Sequence, residues 1–520
     1  TTSDPHNQRV GNSLGFTFTS GTAVNQNMTV ATVTSSGNFT VQHTDSKNTS
    51  GTCTFGQRFN YPNSALIGLR VDAEQFNSIP KRSYIVRGIK VLIPGTSGGK
   101  TPTVDQNNGR IIYPSGYIFN GTLSSSPQWC SDPAWCLYDL LTANRYGCGQ
   151  FIQPSQLDVY SFYAVSKYCS ELVTFKDRLN TGVVSTISEP RFSLNVNIQV
   201  RADAFKVINS LCSVFRGMPV YSAGSLNLIQ DRPGQDPTFL FTKANVTEEG
   251  FQYAGTSKKT RATVAVVKYF DNELRDAAYE EVFDEDAMAK YGVVTKAIDS
   301  YGVTSRYQAR RLGKWLLTSL ATETDMVSFT TTLEAGSLCR PGDVIEIQDE
   351  VKSGLRRGGK IAVVEIVGSN HVITVDDDAT NQTDLGSDYS GDLSVILPDG
   401  QVSSKTVSSI NVSSKKITIS GQFQKKTNDS SGNTPDHPDY VPTFENVSPN
   451  VGSIWILETS NPNNTVQSQQ YKVLGVEEKD DFQFGIVASL HNETKYAAVE
   501  QSETLDHRNV TNLDQIPLPP

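Results

Sequence analysis

The sequence lacks the hydrophobic segments that would place it in or across a membrane. No window of about 18 residues is continuously apolar, and the first ten residues, TTSDPHNQRV, contain neither the basic nor the apolar region of a signal peptide. We therefore expect no transmembrane span and no retained signal peptide. The chain starts at Thr1 and stops in the proline-rich IPLPP, so we expect a processed or partial piece of a longer polypeptide.

The sequence also lacks an excess of positive charge. Its 520 residues include 45 Lys and Arg against 54 Asp and Glu, which gives a net charge of −9 and argues against a basic nucleic-acid coat. Basic pairs do occur, and against this acidic background we interpret them as solvated surface rather than a phosphate-binding track. These pairs are Lys258 and Lys259 with Arg261, Arg356 and Arg357, and Lys425 and Lys426.

The short motifs of common enzyme classes are missing. There is no HExxH, GxSxG, GxxxxGK[ST] or GxGxxG, and the six histidines are scattered, mostly in polar loops. The seven cysteines include no CxxC pair, which excludes zinc-ribbon spacing. Cys130 and Cys136 could meet in a local loop, whereas Cys169 and Cys212 lie in helical patterns typical of buried thiols. We expect no structural disulfide.

Acidic clusters leave one enzymatic alternative open, a glycan hydrolase. Such an enzyme needs only two carboxyl groups about 5 to 10 Å apart and no local motif. Adjacent acids on a turn rarely converge on one cleft, so solvated acidic loops are the main interpretation. The clusters are Asp284, Glu285 and Asp286, and Asp376, Asp377 and Asp378. Asp376, Asp378 and Thr380 resemble the start of a calcium loop, but the glycine and glutamate that complete such a loop are absent.

Glycosylation sequons are more frequent than chance predicts. Twelve N-x-[ST] sequons occur, whereas 33 Asn at this Ser and Thr content predict about six. A secreted adhesion glycoprotein is therefore a second alternative, although Asn-rich and Thr-rich surface turns of a virion protein would give the same excess. The sequons begin at Asn27, Asn38, Asn48, Asn120, Asn245, Asn381, Asn411, Asn428, Asn446, Asn463, Asn492 and Asn509.

Small polar residues dominate what is present. Ser and Thr total 101 and Gly 39, a composition typical of a β-rich protein with many polar turns. Alternating apolar residues, Phe16 with Phe18 and Phe39 with Val41, predict short half-exposed strands in the first 60 residues. From residue 325 onward, short strands follow one another so closely that the pattern favours barrels or a sandwich. We predict a fold that is mainly β with α+β parts.

Four segments have helical periodicity. The first offers Asp132 as a cap and Pro133 at the first helical position, and the third is followed by MPVYSAGSLNLIQD, which reads as strand, turn and strand. We expect the third helix and this hairpin to form one α+β unit. The four helices are predicted near residues 132–146, 155–170, 202–216 and 304–320. The buried seam of the fourth is predicted to include Leu312, Trp315, Leu316 and Leu320. The alternating FSLNVNIQV, residues 192–200, predicts a further strand.

Composition divides the chain into three predicted parts. Residues 1–125 form a β-rich N-terminal segment, residues 126–335 contain the α+β domains, and residues 336–520 contain one or more β-barrel domains. Residues 421–445 are predicted to be a loop insertion, because Pro, Gly, Asn and Ser are too frequent there for a regular element.

Five long segments closely resemble one known family. They occur in the family's order from about residue 57 to 350, and a weaker likeness continues to about residue 505. The segments are YPNSALIGLRVDAEQFNS, SYIVRGIKVLIP, DPAWCLYDLLTANRYG, AFKVINSLCSVFRGMPVYSAGSLNLIQDRP and SRYQARRLGKWLLTSLATETDMVSFTTTLEAGSLCRPGDVIEIQD. The chain thereby resembles the tip attachment (host specificity) protein J of lambda-like long-tailed phages.

The resemblance implies a tail hub in the virion. It implies a homotrimer whose barrel domains form a pseudo-sixfold ring, with α+β domains between them, and whose neighbours are the distal tail ring, the tail tube and the tape measure protein. Genomic DNA would pass through the channel without specific binding. The resemblance carries over no catalytic, cofactor-binding or metal-binding residue, and within it the RPGD of residues 340–343 is expected to be a turn that enters a barrel strand.

Two departures from the family limit what the resemblance implies. About 60 residues precede YPNSALIG, fewer than such hubs usually have, so the first barrel is expected to be incomplete or divergent. Relatives also continue beyond the point that corresponds to residue 520 into fibronectin-like and fibre domains. Contact with the host receptor is therefore expected from domains beyond this segment, and the segment itself is expected to make no stable membrane insertion.

Overall fold

A computed structural model of the chain describes most residues from 86 onward and shorter stretches before them. The described residues are 8–19, 26–42, 53–58, 67–68, 72, 74, 78–79, 84, 86–178, 183–200, 202–222, 224–255, 261–272, 274–353, 356–376, 391–458, 468–479, 482–501 and 504–506. They belong to two units, residues 1–86 and residues 87–520. The structure is mainly β with several sheets, which confirms the predicted fold class.

The first unit contains a four-stranded antiparallel sheet. Its strands are β1 (Ser13–Phe18), β2 (Gln26–Ser35), β3 (Asn38–Gln42) and β4 (Cys53–Arg58), in the order β3-β2-β1-β4. Leu14 and Phe16 alternate on the buried side of β1 and pack against Met28 and Val30 of β2, because alternate residues of a strand point to the same face. The strands predicted in the first 60 residues are thus confirmed. The segment YPNSALIGLRVDAEQFNS, residues 61–78, lies mostly outside the described residues.

The second unit begins before the boundary predicted at residue 125. Ile93, Ile111 and Phe119 are buried in the same hydrophobic cluster as Trp135. The rings of Phe119 and Trp135 are 6.2 Å apart between centroids. Two short strands, β5 (Thr103–Val104) and β6 (Ile111–Ile112), pair within this stretch. The observed division differs from the predicted one because these residues pack on helices that follow them in sequence, a contact that composition does not reveal.

Eight α-helices lie in the described part of the second unit. They are α1 (Pro133–Thr142), α2 (Val159–Ser170), α3 (Ala204–Val214), α4 (Glu285–Tyr291), α5 (Arg306–Thr322), α6 (Leu333–Leu338), α7 (Glu350–Ser353) and α8 (Thr494–Glu500). The side chains of four residues accept hydrogen bonds from first-turn N–H groups of α1, α2, α3 and α5. These caps are Asp132, Asp158, Asp203 and Ser305. Each satisfies N–H groups that have no partner within the helix.

Local signals predict the start of α1 but not that of α2. Asp132 caps α1 through bonds of 3.0 and 3.1 Å, and Pro133 is its first residue, as predicted. The sequence pattern predicts that the second helix starts at residue 155. In the structure Pro154–Gln156 form a single 3₁₀ turn, and α2 starts at Val159. The N–H of Asp158 then donates to the carbonyl of Leu226 at 3.0 Å. This pairing with a neighbouring strand keeps the backbone extended and delays α2.

Helix α5 buries polar side chains as well as apolar ones, which extends the predicted seam: Leu312, Leu316 and Leu320 do pack against the hydrophobic cores. The predicted residues are only half-buried, namely Leu312, Trp315, Leu316 and Leu320. Gln308 and Arg311 are 3% and 2% exposed. The amide of Gln308 accepts from the N–H of Ser193 and donates to its carbonyl, both at 3.1 Å. Buried polar groups are tolerated when they are hydrogen-bonded, so an apolar pattern alone misses this part of the buried face.

The strand predicted from FSLNVNIQV is wrong. Residues 192–200 form no regular strand, and their N–H groups bond to three separate segments. Phe192 donates to Cys169, Leu194 to Ser131 and Asn195 to Gly302, at 3.1, 2.8 and 2.9 Å. Phe192 and Leu194 are buried, whereas Val196 and Ile198 are 39% and 45% exposed. Alternation of apolar residues therefore marks an extended backbone here without a partner strand.

The other strands of the second unit build six sheets. The strands are β7 (Leu172–Arg178), β8 (Val184–Pro190), β9 (Gly217–Ser222), β10 (Ser225–Gln230), β11 (Phe239–Thr242), β12 (Gln252–Gly255), β13 (Val264–Asp271), β14 (Asp276–Phe283), β15 (Thr295–Asp299), β16 (Asp325–Thr332), β17 (Val344–Gln348), β18 (Gly358–Val367), β19 (Asn370–Val375), β20 (Asp392–Ile396), β21 (Val402–Asn411), β22 (Lys416–Ile419), β23 (Gln424–Thr427), β24 (Thr443–Asn446), β25 (Ile454–Leu457), β26 (Gln469–Lys479), β27 (Gln483–Leu490) and β28 (Thr504–Asp506). They form the hairpin β9-β10, the ribbon β23-β24, the sheets β14-β13-β15, β28-β7-β8 and β11-β17-β26-β27-β16-β12, and a closed barrel. The predicted hairpin after α3 is β9-β10.

The six-stranded sheet curls back on itself. Phe241 on β11 and Phe329 on β16 are four strands apart in the sheet order, about 19 Å if the sheet were flat. Their rings are only 4.7 Å apart between centroids. Helix α6 contributes Ala335 to the same core. Since strands from residues 239–255, 325–348 and 469–490 share this sheet, the boundary predicted at residue 336 runs through it.

The closed barrel has the cyclic strand order β18-β19-β22-β21-β20-β25. Trp455, Leu393 and Ile417 are fully buried at its centre. The segment predicted as a loop insertion, residues 421–445, leaves the barrel after β22, and it contains most of the β23-β24 ribbon. Its many turn residues connect two strands, so composition alone overstates how irregular it is.

The RPGD of residues 340–343 forms a turn, as predicted. Gly342 has φ +94°, and the carboxylate of Asp343 accepts from the N–H of Arg340 at 2.8 Å. A Cβ on Gly342 would clash with the side chain of Ile229. The turn leads into β17 of the six-stranded sheet rather than into a strand of the closed barrel, which corrects the predicted barrel entry.

Candidate functional site

One residue of each acidic cluster seen in the sequence has a structural role. Asp284 caps α4 by accepting from the N–H of Ala287 at 2.9 Å. Asp376 accepts from Arg356 at 2.6 Å and from the indole N–H of Trp455 at 3.2 Å. The other members of the second cluster, Asp377 and Asp378, and Thr380 of the calcium-like pattern lie outside the described residues. The structure therefore gives neither Asp284 nor Asp376 the arrangement of a catalytic acid pair.

The basic pairs are also engaged within the chain. Arg261 donates to the hydroxyl of Tyr291 at 2.8 Å, and Lys426 pairs with Asp236 at 2.5 Å. Lys425 forms an ion pair of 3.2 Å with Glu445, Arg356 is held by Asp376, and Arg357 is 2% exposed. Lys258 and Lys259 lie outside the described residues. These contacts give no continuous phosphate-binding track.

Metal-binding clusters and membrane-spanning helices are both absent from the described part of the chain. Within those ranges no group of three or more His, Cys, Asp and Glu side chains is arranged to hold a metal ion. Among the described helices, none combines the length and hydropathy needed to cross a membrane. All seven cysteines are described and are free thiols.

One sequon asparagine is already used by the fold. The side-chain oxygen of Asn245 accepts from the N–H of Thr242 at 2.8 Å, and its nitrogen donates to the carbonyl of Leu240 at 2.8 Å. Glycosylation modifies this same nitrogen. The Asn245 sequon is thus explained by a structural contact.

A groove of about 330 Å³ lies between β16, β26, β27 and the loop before β12. Glu249 and Glu477 line it, together with Lys479. The ammonium of Lys479 donates to the hydroxyl of Thr330 at 3.0 Å. No local sequence pattern singles out these residues, because the groove is assembled from three distant segments. It is the place where the hydrolase alternative finds two carboxyl groups beside a cleft.

Two sets of buried polar contacts connect elements that are distant in sequence. In the first, which we call the ribbon junction, Asp439 in the loop of the β23-β24 ribbon docks on the segment before α1 and on α2. Its carboxylate is 5% exposed and accepts from the N–H of Phe119, the hydroxyl of Tyr163 and the ammonium of Lys167, at 3.0, 2.9 and 2.7 Å. The ring of His437 donates from Nε2 to the carbonyl of Phe119 at 3.2 Å, and its Nδ1 accepts from the backbone N–H of Asp439 at 3.1 Å.

The ribbon junction affects neighbouring hydroxyl groups. Burial and the Asp439 carboxylate raise the pKa of Tyr163 well above its usual value and that of Tyr117 to about 12. Both hydroxyls therefore stay protonated across ordinary pH, and Tyr163 remains a donor to Asp439.

The second contact, which we call the ion cluster, centres on Asp231 directly after β10. Its carboxylate accepts from the indole N–H of Trp315 at 2.9 Å, the hydroxyl of Tyr496 at 2.7 Å, and the ammonium groups of Lys472 and Lys495 at 3.0 and 2.8 Å. These partners come from α5, α8 and β26. One carboxylate thus joins four elements, with Lys495 only 3% exposed.

The charges in the ion cluster shift the titration of its members. Burial alone would raise the pKa of Asp231, but Lys472 and Lys495 hold it well below its usual value. Lys495 also pairs with Glu323 at 2.7 Å. Burial, reinforced by both lysines, lowers the pKa of His491 to about 4. His491 is therefore neutral near pH 7.

Arg191 and Arg311 hold the C-terminal end of α8. Arg311 of α5 is 2% exposed and donates to Glu189 at 3.0 Å and to the carbonyl of Arg191 at 2.6 Å. Arg191 pairs in turn with Glu500 at 2.6 Å and with Glu171. Helix α8 is therefore held by ion pairs at both ends.

Sequence reasoning missed both the ribbon junction and the ion cluster. Asp231 and Lys472 are 241 positions apart, and Asp439 and Phe119 are 320 apart. The single local signal is that Asp231 follows a predicted strand and begins the sequence Asp-Arg-Pro-Gly, which is also typical of an ordinary turn. Long-range pairing of charges has no sequence periodicity from which it could be predicted.

Comparison with known proteins gives matches to phage tail proteins. A family model described as "Putative phage tail protein" matches residues 203–366. The tip attachment protein J of Escherichia phage SECphi27 is 29% identical over 461 residues, which cover 87% of this chain and 34% of that protein. The tip attachment protein J of Escherichia phage SECphi4 is 29% identical over 366 residues, 70% of this chain and 29% of that protein. The chain spans about a third of the length of these curated relatives.

Solved structures of tail proteins show weaker likeness. A tail protein from Neisseria meningitidis MC58 has a TM-score of 0.24 at 13% identity, covering 37% of this chain and 56% of that chain. The 43 kDa tail protein of prophage MuSo2 from Shewanella oneidensis has a TM-score of 0.22 at 16% identity, covering 30% and 46%. A chain of the virion of a native gene transfer agent particle has a TM-score of 0.28 at 12% identity, covering 61% and 50%. Values this low carry no argument about the present fold.

The family match and the two curated relatives define the class: this chain is a structural protein of a phage tail and is located in the virion. More particularly, its sequence is similar to the tip attachment proteins J over most of its length. The resemblance derived from its own segments is thereby confirmed.

Proposed function

We propose that the chain is the central hub of a phage tail tip, a homotrimer that closes the tail tube, supports attachment to the host and opens when the genome is ejected. The observation that carries the proposal is the likeness to the tip attachment protein J of Escherichia phage SECphi27 over 87% of the chain. A trimer suits the many strands of the chain, because a closed threefold ring buries strand edges that a monomer would leave exposed, and the six-stranded sheet has two edge strands, β11 and β12.

The trimer is tested by the solution mass of the protein. Light scattering is expected to give about three times 56.8 kDa, the mass of one chain. Imaging of the intact virion should then show threefold density at the tail end. Tail-tip density without threefold symmetry would contradict the hub.

The proposed partners follow from the position of a hub. They are the distal tail ring, the tail tube and the tape measure protein, while host-receptor contact is made by domains beyond this segment. Genomic DNA passes through the channel without specific binding, and a net charge of −9 is compatible with a lumen that repels DNA. The segment makes no stable membrane insertion. Crosslinking of intact virions followed by mass spectrometry should join this chain to ring and tube proteins.

Opening is proposed to be a rearrangement of packed domains, and the chain is proposed not to be an enzyme. The tail-associated glycan hydrolase remains the alternative, and the 330 Å³ groove lined by Glu249 and Glu477 is the place where it can be tested. Incubation with host envelope polysaccharide should release no product. Product released by the wild type but not by Glu249→Gln or Glu477→Gln, with Glu445→Gln as the surface control, would overturn the proposal.

The secreted adhesion glycoprotein is tested by mass. A mass shift on deglycosylation of the natural protein would support it, and an unchanged mass would leave the sequon excess to surface composition.

A further inference from the structure

The six-stranded sheet and the closed barrel meet along β11 and β25. Leu240 of β11 is fully buried against Ile454 and Ile456 of β25. In β25 the intervening residues, Trp455 and Leu457, point into the barrel core. Because strand residues alternate between faces, the side of β25 that carries residues 454 and 456 faces the six-stranded sheet.

Two glutamates meet at this sheet–barrel junction. Glu458 directly follows β25 and continues the alternation of Ile454 and Ile456, so it points toward the sheet. Glu346 lies on β17, beside Leu240 in the strand register and 2% exposed. Burial, then the charge of Glu458 and a side-chain hydrogen bond with it, raise the pKa of Glu346, while a hydrogen bond from Ser468 lowers it. The hydroxyl of Ser468 also donates to Glu458 at 2.5 Å.

A hydrogen bond between two carboxyl groups requires a proton, because two carboxylates are acceptors only. Oε1 of Glu346 is buried, and no N–H or O–H donor among the described residues reaches it. A charged carboxylate would therefore be both desolvated and repelled there. We propose that Glu346 and Glu458 share one proton across the sheet–barrel junction, and that loss of this proton loosens the contact between the two sheets.

None of the groups that shift the pKa of Glu346 is a cation. Glu346 is flanked in register by Leu240 and Gln470, neither of which titrates. Further along, Lys243 and Glu350 form their own ion pair of 2.7 Å. On the barrel side, the carbonyl of Arg357 accepts a hydrogen bond from the N–H of Leu457 in β25. The guanidinium of Arg357 is not among the groups that shift the pKa of Glu346.

Titration supports the arrangement. Burial, followed by the charge of Glu458, raises the pKa of Glu346 to about 8. A carboxyl group whose folded pKa exceeds its unfolded pKa of about 4.3 contributes stability that is fully present below the unfolded value. That contribution is lost as pH rises toward the folded value. Within this window each pH unit changes the unfolding equilibrium constant about tenfold through this single group.

The test is urea unfolding of the wild type and Glu346→Gln at pH 5.5 and 7.5. The glutamine amide can donate to Glu458 without a titrating proton, so the variant keeps the hydrogen bond and loses the pH dependence. The unfolding equilibrium constant of the wild type should rise between the two pH values about a hundredfold more than that of the variant. Glu365→Gln is the matched control, because Glu365 is 44% exposed in an ion pair with Lys416, and it should keep the wild-type difference.

Hydrogen exchange locates the effect. After correction for intrinsic rates, the amides of Leu457 and Glu458 should lose protection with rising pH in the wild type but not in Glu346→Gln, while the β19-β22 amides stay protected. Equal pH dependence of unfolding in wild type and variant would overturn the proposal, as would equal loss of protection throughout the barrel. If Glu346→Gln does not fold, Glu458→Gln reports on the same proton. The proposal does not depend on the trimer, since both glutamates belong to one chain.

Discussion

Replacing Asp231 by Asn should weaken the fold through the ion cluster. The substitution keeps the size of the side chain but removes its charge and turns one acceptor into a donor. Lys472 and Lys495 then lose a carboxylate at 3.0 and 2.8 Å while they remain 13% and 3% exposed. Breaking a buried ion pair by removing one partner costs about 3–5 kcal/mol, because the remaining charge is left without compensation. Glu323 still pairs with Lys495, so we expect about 3 kcal/mol, the lower end of that range.

The assay is urea unfolding followed by tryptophan fluorescence, in which Trp315 reports directly because its indole donates to Asp231. Asp236→Asn is the matched control: Asp236 lies five residues away, is 77% exposed and pairs with Lys426. Its loss should change the free energy of unfolding by less than about 1 kcal/mol. An Asp231→Asn variant no less stable than Asp236→Asn would refute the reasoning that the cluster is a stabilising junction.

The pH dependence of the same variant gives a second check. The folded pKa of Asp231 is depressed, so its contribution to stability is present above its unfolded pKa of about 3.9 and is lost as pH falls below that. The wild type should therefore lose more stability than Asp231→Asn between pH 5 and pH 2. Parallel acid titration curves for the two proteins would contradict the electrostatic origin of the effect.

Three further outcomes are expected. Asp439→Ala should release the ribbon junction, so limited proteolysis of the loop between β23 and β24 should accelerate, whereas Glu445→Gln, on the exposed side of the ribbon, should leave the rate unchanged. Gly313→Ala should lower the free energy of unfolding in urea by about 1–3 kcal/mol, because the added Cβ lies 2.7 Å from a methyl group of Val282 on β14. Gly475→Ala is the control and should have little effect, since its added Cβ meets no atom within 4 Å. The folded pKa of His491 is lowered to about 4, so the folded state loses stability as pH falls and the buried imidazole must take up a proton. His491→Gln should therefore reduce the loss of unfolding free energy between pH 6.5 and 4 by about 3 kcal/mol. An equal loss of stability in wild type and variant would contradict this.

Local signals in the sequence predict the elements whose causes are local. Asp132 and Pro133 place the start of α1 correctly because both act within one helical turn. The alternation of Phe16 and Phe18 predicts β1 correctly because the partner strands are close in sequence. Residues 192–200 show the limit of such patterns: they alternate like a strand, but their backbone partners are helix ends and loops rather than a strand.

The candidate junctions could not be predicted because their partners are distant and polar. Gln308 and Arg311 are polar residues at buried positions of α5, where a hydrophobic pattern predicts apolar side chains. What stabilises them is the backbone of residues 189–193, brought there by the tertiary fold. Glu346 stands in the apolar-looking VIEIQ of β17 and gives no sign in sequence that its neighbour across the junction is another glutamate.

The ribbon junction, the ion cluster and the sheet–barrel junction share one physical property. Each is built from groups that are costly to leave half-satisfied, so removing one contact costs more than that contact contributes on its own. If two elements slid past each other along such a surface, buried charged groups would lose their partners while still shielded from water. Complete separation instead lets water hydrate all of these groups at once. Most of the apolar core of the barrel and of the six-stranded sheet lies within each sheet, and the sheet–barrel junction adds only the smaller apolar cluster of Leu240, Ile454 and Ile456. If the proposed hub opens by moving domains, we therefore expect it to part along the polar junctions in single steps, with each sheet intact.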